Sequence, residues 1–116
     1  MFKFEVILKG GLKGCCSTYS AAQLNELTVS WFEKEPDILF HIMDVEEDYW
    51  ESDKVADYGY KLFGDRFFPL TYLNENLVLA GFFPEKKDLL ESIKNPKPIT
   101  ISDLDQVKTQ SLQPRE

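Results

Sequence analysis

The chain is 116 residues long (13.5 kDa), 43% apolar and 14% aromatic, which is enough for one compact core and excludes long disorder, collagen and solenoid architectures. Thirteen Lys and Arg stand against 20 Asp and Glu, for a net charge of −7 and a pI near 4.7; such a chain lacks the basic footprint that nucleic acid and anionic membranes select, so neither is an expected partner. No apolar run reaches the about 18 residues of a membrane-spanning helix, and charges interrupt Met1–Lys9 where a secretory signal would be apolar, so the expected location is cytoplasmic.

Phe2 to Leu8 reads as a strand with Phe4, Val6 and Leu8 on one face. Gly10-Gly11-Leu12-Lys13-Gly14 breaks it, because glycine admits backbone angles that close tight turns. Ser17, Thr18 and Ser20 are each able to cap a helix whose apolar face is Ala21, Leu24, Leu27 and Trp31, widened by Ala22, Val29 and Phe32. Pro36 ends that helix near Glu35.

Ile38 to Met43 is apolar without alternation, the pattern of a strand buried on both faces. Asp48 with Glu51 resembles a capping box for a second helix, whose face is Val55, Ala56, Gly59, Leu62 and Phe63 and which Gly64-Asp65 closes. A third strand spans Leu70 to Leu73, and the turn Asn74-Glu75-Asn76 leads to a fourth, Leu77 to Ala80, followed by Gly81. Pro84 suits the first position of a last helix, 84–94, which stops at Asn95-Pro96.

The order β-α-β-α-β-β-α predicts an α/β domain over residues 1–95: a mixed four-stranded sheet flanked by helices, parallel where helices cross over and antiparallel at the hairpin. Residues 96–116 shift to Pro, Gln, Lys and Asp and read as a tail, extended or partly disordered. Within it, Ile99-Thr100-Ile101 is the segment able to pair as an edge strand, and Ser102 the residue able to cap a short helix through Gln110.

The two cysteines are adjacent, Cys15 and Cys16. A bond between neighbours closes a strained small ring and constrains almost none of the unfolded chain, so the pair is not a structural staple. A thiolate at a helix N-terminus is stabilised by unpaired amides, and its pKa there falls from about 8.5 to between roughly 3.5 and 7.5. Lys13 adds a nearby positive charge. Soft thiolates favour Cu(I), Zn(II) and arsenite over hard ions. The competing reading is a cysteine packed inward as a small hydrophobe. A closed zinc site needs two further Cys or His ligands, and His41 is the sole histidine, read here as a hydrogen-bonded residue of a central strand.

This element order, with cysteines between the first strand and first helix, Phe68-Pro69 ahead of the third strand and Gly81 after the hairpin, resembles the thioredoxin fold. Cys15-Cys16-Ser17-Thr18, together with Ala80-Gly81-Phe82-Phe83-Pro84-Glu85-Lys86-Lys87-Asp88-Leu89, resembles the ArsD family of arsenic metallochaperones. The half from Asp44-Val45 through Phe67-Phe68-Pro69-Leu70 to Leu89 resembles the YuzD-like thioredoxin-fold family.

The resemblance implies a cis peptide at Pro69 facing the cysteines, As(III) or another soft ion held by Cys15 and Cys16, and delivery to a transport ATPase. No resident cofactor is implied. Cys16 is then the exposed thiolate, Cys15 its co-ligand, and Lys13 an electrostatic helper. Ser17 or Thr18 supplies capping and hydrogen bonds, and Pro69 the opposite wall. The chain departs from both patterns: thioredoxins place a second cysteine three residues after the first, where Thr18 stands, and ArsD proteins a third five residues after the second, where Ala21 stands. Metalloid binding or thiol exchange is accordingly expected over dithiol oxidoreductase action, and whether the chain is an enzyme stays open.

The alternative is a non-catalytic interaction module. Tyr49-Trp50 and Phe82-Phe83 are consecutive aromatics at loop positions, where both members of a pair do not point inward together, and an exposed patch of this kind serves a protein partner or a homodimer. A third reading is a single-cysteine exchange enzyme working with external glutathione. The acidic group Asp44, Glu46, Glu47, Asp48 and Glu51 lacks the glycine and distal Glu of a calcium loop and reads as a solvated helix start.

Overall fold

The computed structural model describes residues 1–14 and 17–111, with residues 107–111 as backbone alone. The elements in chain order are β1 (Phe2–Leu8), β2 (Leu12–Lys13), β3 (Thr18–Tyr19), α1 (Ala21–Thr28), β4 (Ile38–Asp44) and α2 (Lys54–Phe63). A 3-10 turn (Gly64–Phe67), β5 (Leu70–Leu73), β6 (Asn76–Ala80), α3 (Lys86–Lys94) and α4 (Ile101–Ser111) complete the chain.

The main sheet runs β4-β1-β5-β6, and β2 with β3 forms a separate hairpin. β1 pairs in parallel with β4, from Phe2 opposite Ile38 to Leu8 opposite Asp44, and antiparallel with β5. The domain is therefore mixed α/β. Alternation along β1 sends its side chains to two cores. Val6 and Leu8 pack with Ala21 and Leu24 of α1, and Phe4 with Leu89 of α3. On the other face Ile7, Leu70, Tyr72 and Leu77 meet Ala56 of α2, Phe67 and Leu104 of α4. Each fully buried aliphatic or aromatic side chain contributes about 1.5–3 kcal/mol of transfer free energy.

β4 is an edge strand, which corrects its reading as central and buried on both faces. Leu39 and His41 are exposed, and His41 stands opposite Glu5 in the register. The open side of β4 is covered at one point by α1: Asn25 Nδ2 donates to the Ile42 carbonyl at 2.9 Å, and its Oδ1 accepts from the Ile42 N–H at 3.0 Å. One side-chain amide there substitutes for a neighbouring strand.

The first helix is shorter than its apolar pattern predicts. It ends at Thr28, leaving Leu27 and Val29 exposed at 64% and 71%. Thr28 and Val29 are β-branched and weak helix formers. The turns that follow place Phe32 against Phe4 and Trp31 against Phe40, ring centroids 6.3 and 5.6 Å apart, and this aromatic packing redirects the chain.

The second helix starts later than expected. Its cap is Asp53, whose side chain accepts from the Ala56 N–H at 2.7 Å, so Asp48 and Glu51 do not form the capping box. The third helix also starts late, with Glu85 as N-cap and Pro84 buried ahead of it. The hairpin matches expectation: Asn74 and Glu75 both take positive φ, 48° and 73°, the backbone of a type I′ turn.

The tail carries α4 over the stretch where the sequence offered a short helix through Gln110. Thr100 and Asp103 form a reciprocal cap that starts α4, the Thr100 N–H to Asp103 Oδ2 at 2.9 Å and the Asp103 N–H to Thr100 Oγ1 at 3.1 Å. Leu104 is buried, Tyr58 Oη donates to Asp105, and the Ile99 N–H bonds the Leu77 carbonyl at 2.7 Å. Helix α4 thus packs on the domain through Leu104, capped by Thr100 rather than Ser102.

Candidate functional site

Cys15 and Cys16 lie outside the described residues; the residues that bracket them do not. β2 and β3 pair Leu12 with Tyr19 and Lys13 with Thr18, and the Gly14 N–H donates to the Ser17 carbonyl at 2.7 Å. Helix α1 begins only at Ala21. Ser20 is its cap, accepting from the Gln23 N–H while Gln23 Oε1 accepts from the Ser20 N–H. The expectation that Ser17 or Thr18 caps the helix is therefore corrected: Thr18 belongs to the hairpin, and Ser17 uses its carbonyl on Gly14. Of the amides in the first turn of α1, the Ser20 side chain takes that of Gln23.

Gly10 and Gly11 lead from β1 into this hairpin with φ of 74° and 79°. A Cβ on Gly11 would lie 2.7 Å from Thr18 Cγ2 and 2.9 Å from the Tyr19 carbonyl oxygen, so this close approach requires glycine. The turn is anchored from β4. Asp44, 1% exposed, accepts from the Gly10 N–H (3.1 Å) and Glu46 N–H (2.9 Å) on Oδ1 and from the Gly11 N–H (2.6 Å) on Oδ2. Burial pushes its carboxyl upward, but these three backbone donors and the charge of Lys9 outweigh it, leaving the pKa below its ordinary 3.8.

Lys9 reaches Asp65 at 3.4 Å and Glu46 at 3.7 Å and sits 5.9 Å from the centre of the Tyr60 ring. The hydrogen bond and charge of Asp65, then Tyr60 and Glu46, raise its pKa against a smaller opposing effect of burial, so the ammonium stays charged.

Lys13 and Pro69, two of the residues singled out in the sequence, line one cleft of about 350 Å³. The Phe68–Pro69 bond is cis. The Pro69 carbonyl accepts from the Gly81 N–H at 3.0 Å, tying the start of β5 to the end of β6. Lys9, Arg66 and Phe82 complete the walls that matter chemically. Lys9 is bound to carboxylates, whereas among the described residues no carboxylate forms an ion pair with Lys13 or Arg66. In a chain of net charge −7, this cleft gathers three cations, Lys9, Lys13 and Arg66, and one carboxylate, Asp65, which pairs with Lys9.

Each consecutive aromatic pair divides as its loop position predicts. Tyr49 is 87% and Phe82 45% exposed, while Trp50 packs edge-on against Phe68 and Tyr72, and Phe83 packs against Trp31. The acidic group divides too: Asp44 is a buried anchor, and Glu46, Glu47, Asp48 and Glu51 are exposed. Among the described residues no group of three or more His, Cys, Asp or Glu is placed to hold a metal ion, and no helix is long and apolar enough to cross a membrane.

Sequence reasoning missed Asp44, Lys9 and Arg66. Asp44 carried one usable signal, an acid closing an otherwise apolar strand in a chain whose first strand ends at a double glycine. Arg66 carried none, because its place in the cleft follows from the 3-10 turn and not from local pattern. No protein-family model matches the chain, and no curated protein matches it in sequence.

Proposed function

We propose that this chain is a thioredoxin-like thiol protein that uses Cys15 and Cys16 for reversible binding of As(III) or another soft ion, or for thiol exchange. The observation that carries the reading is the shared cleft. Lys13, two positions before the first cysteine, and the cis Pro69 just ahead of β5 line the same cavity. The parallel β1–β4 pair, connected through α1, and the antiparallel β5–β6 hairpin support the thioredoxin-like topology.

Two adjacent thiols on a short connection suit a soft trivalent ion. Two As–S bonds form as two thiols lose their protons to two leaving hydroxides, which depart as water. The third ligand comes from outside, as hydroxide or an external thiol, because Ala21 stands where a third cysteine would be. Lys13 and Arg66 favour the thiolate form by their positive charge, in addition to the start of α1. Pro69, which has no N–H, lines the same cleft as Lys13.

The test is a thiol titration against pH on wild type, Cys15→Ser and Cys16→Ser, with and without arsenite, read by intact mass. A thiol pKa below about 8 and one arsenite adduct that needs both cysteines are expected. An ordinary thiol pKa with no adduct on wild type overturns the reading.

A further inference from the structure

The outer edge of β4 is closed at either end and open between. The Phe2 N–H donates to the Asp37 carbonyl at 2.7 Å, so Asp37, Leu39 and His41 turn their backbone groups toward β1. Alternation then turns those of Ile38, Phe40 and Ile42 outward. Asn25 takes both groups of Ile42, and the Glu35 carbonyl accepts from the Ile38 N–H at 3.0 Å. The Ile38 carbonyl and the N–H and carbonyl of Phe40 have no partner among the described residues. The same stretch lines a groove of about 320 Å³ between β4 and the end of α1, walled by Val29, Phe32, Ile38, Leu39 and Phe40. Val29 and Leu39 are exposed although apolar.

The rim of this groove is acidic. Glu33 lines it, Glu26 stands one helical turn before Val29, and Glu35 and Asp37 lead into β4. All of them are exposed, and none forms an ion pair among the described residues. Lys34 is interposed among them. The groove lies at the Phe2–Ile38 end of the sheet, whereas the chain leaves β1 for the cysteines from Leu8, at the other end.

We infer that the β4 edge takes an extended segment of a protein partner as an added strand, apolar at alternate positions and basic at its ends. A short stretch beside Phe40 supplies the donors and the acceptor that these backbone groups lack, and its inward side chains enter the groove between Val29 and Leu39. Charge complementarity selects Lys or Arg for the flanks. It also disfavours a second copy of this chain, which carries the same acidic rim and a net charge of −7. Asn25 sets the length of the site: by holding Ile42 it confines pairing to the stretch before it. Recognition of this kind uses neither cysteine and stands apart from the thiol reading.

The experiment measures fluorescence anisotropy of a fluorescein-labelled peptide, Lys-Lys-Val-Thr-Val-Thr-Lys-Lys. One control carries Glu for every Lys; the other is N-methylated at its central amides, which keeps the charge and removes the donors. Wild type is expected to bind the first peptide about tenfold or more tightly than either control, with affinity falling as salt rises. The peptide should slow amide exchange at Phe40 and leave it unchanged at Ile42, which Asn25 already holds. Glu26→Lys with Glu33→Lys should abolish the preference for Lys over Glu, and Val29→Ser should weaken binding about fivefold. Urea unfolding confirms that each variant is folded. Cys15→Ser with Cys16→Ser should keep the binding while losing arsenite uptake, so the two readings fail separately. Equal binding of the N-methylated peptide, no binding at ~1 mM, unchanged exchange at Phe40, or loss of binding in the double serine variant each overturns the inference. So does a wild-type dimer in which Phe40 is protected before any peptide is added.

Discussion

Asp44 and Gly11, thirty-three residues apart in the chain, are joined by a 2.6 Å hydrogen bond from the Gly11 N–H to Asp44 Oδ2. With Gly10 and Glu46 on the other oxygen, this carboxylate fixes the turn that carries the chain from β1 toward the cysteines. Replacing Asp44 by Ala leaves three backbone donors without their acceptor and should cost about 2–4 kcal/mol of stability in urea unfolding at neutral pH. Amide exchange at Gly10 and Gly11 should quicken more than in the β1–β5 ladder. Equal acceleration throughout would show general destabilisation instead of a local anchor.

The same carboxylate sets an acid limit. Its folded pKa lies below the ordinary 3.8, so the unfolded state binds the proton more readily. The stabilisation is therefore complete above the unfolded value and is lost as pH falls through the folded one. Wild type should lose more stability than Asp44→Asn as pH drops below about 4. Parallel stability curves for the two proteins would contradict this.

Asn25 protects the open edge of the sheet by occupying both backbone groups of Ile42. Asn25→Ala should destabilise by about 1–3 kcal/mol. It should also make the protein self-associate with rising concentration, because an unpaired strand edge recruits another chain. Asn25→Asp retains an acceptor for the Ile42 N–H but no donor for its carbonyl, and should fall between the two. Sedimentation velocity over a concentration series separates these outcomes.

Gly59 lets α2 lie against the 3-10 turn. A Cβ there would stand 2.1–2.5 Å from three ring atoms of Phe67, which is itself buried. Gly59→Ala should therefore destabilise by about 1–3 kcal/mol, although alanine is the better helix former. Phe67→Leu should cost less in the Gly59→Ala background than in wild type, and a double-mutant cycle reads that coupling.

Helix α4 belongs to the core through Leu104. Leu104→Ala should cost about 2 kcal/mol or more, and Thr100→Ala, which removes the reciprocal cap, about 1 kcal/mol. A dispensable tail would leave both urea midpoints at the wild-type value.

The amino-acid pattern by itself determined the four strands of the main sheet, the hairpin at Asn74-Glu75, the buried face of α2 and the division of each aromatic pair, but not the small β2–β3 hairpin. These depend on periodicity and turn chemistry within a few residues, and the chain satisfies them locally. The cis form at Pro69 was legible only through family resemblance, because nothing in Phe67-Phe68-Pro69 alone selects it. Tertiary structure decided the rest. It ended α1 at Thr28 to let Trp31 and Phe32 pack, set β4 at the edge, and drew Leu104 into the core. It also turned Asp44 from a residue of an acidic run into the anchor of the glycine turn, and set Lys13, Arg66 and Pro69 around one cleft. Each of those outcomes rests on contacts between residues far apart in the chain. Their free energy depends on what the fold brings near, and local propensity carries no record of it.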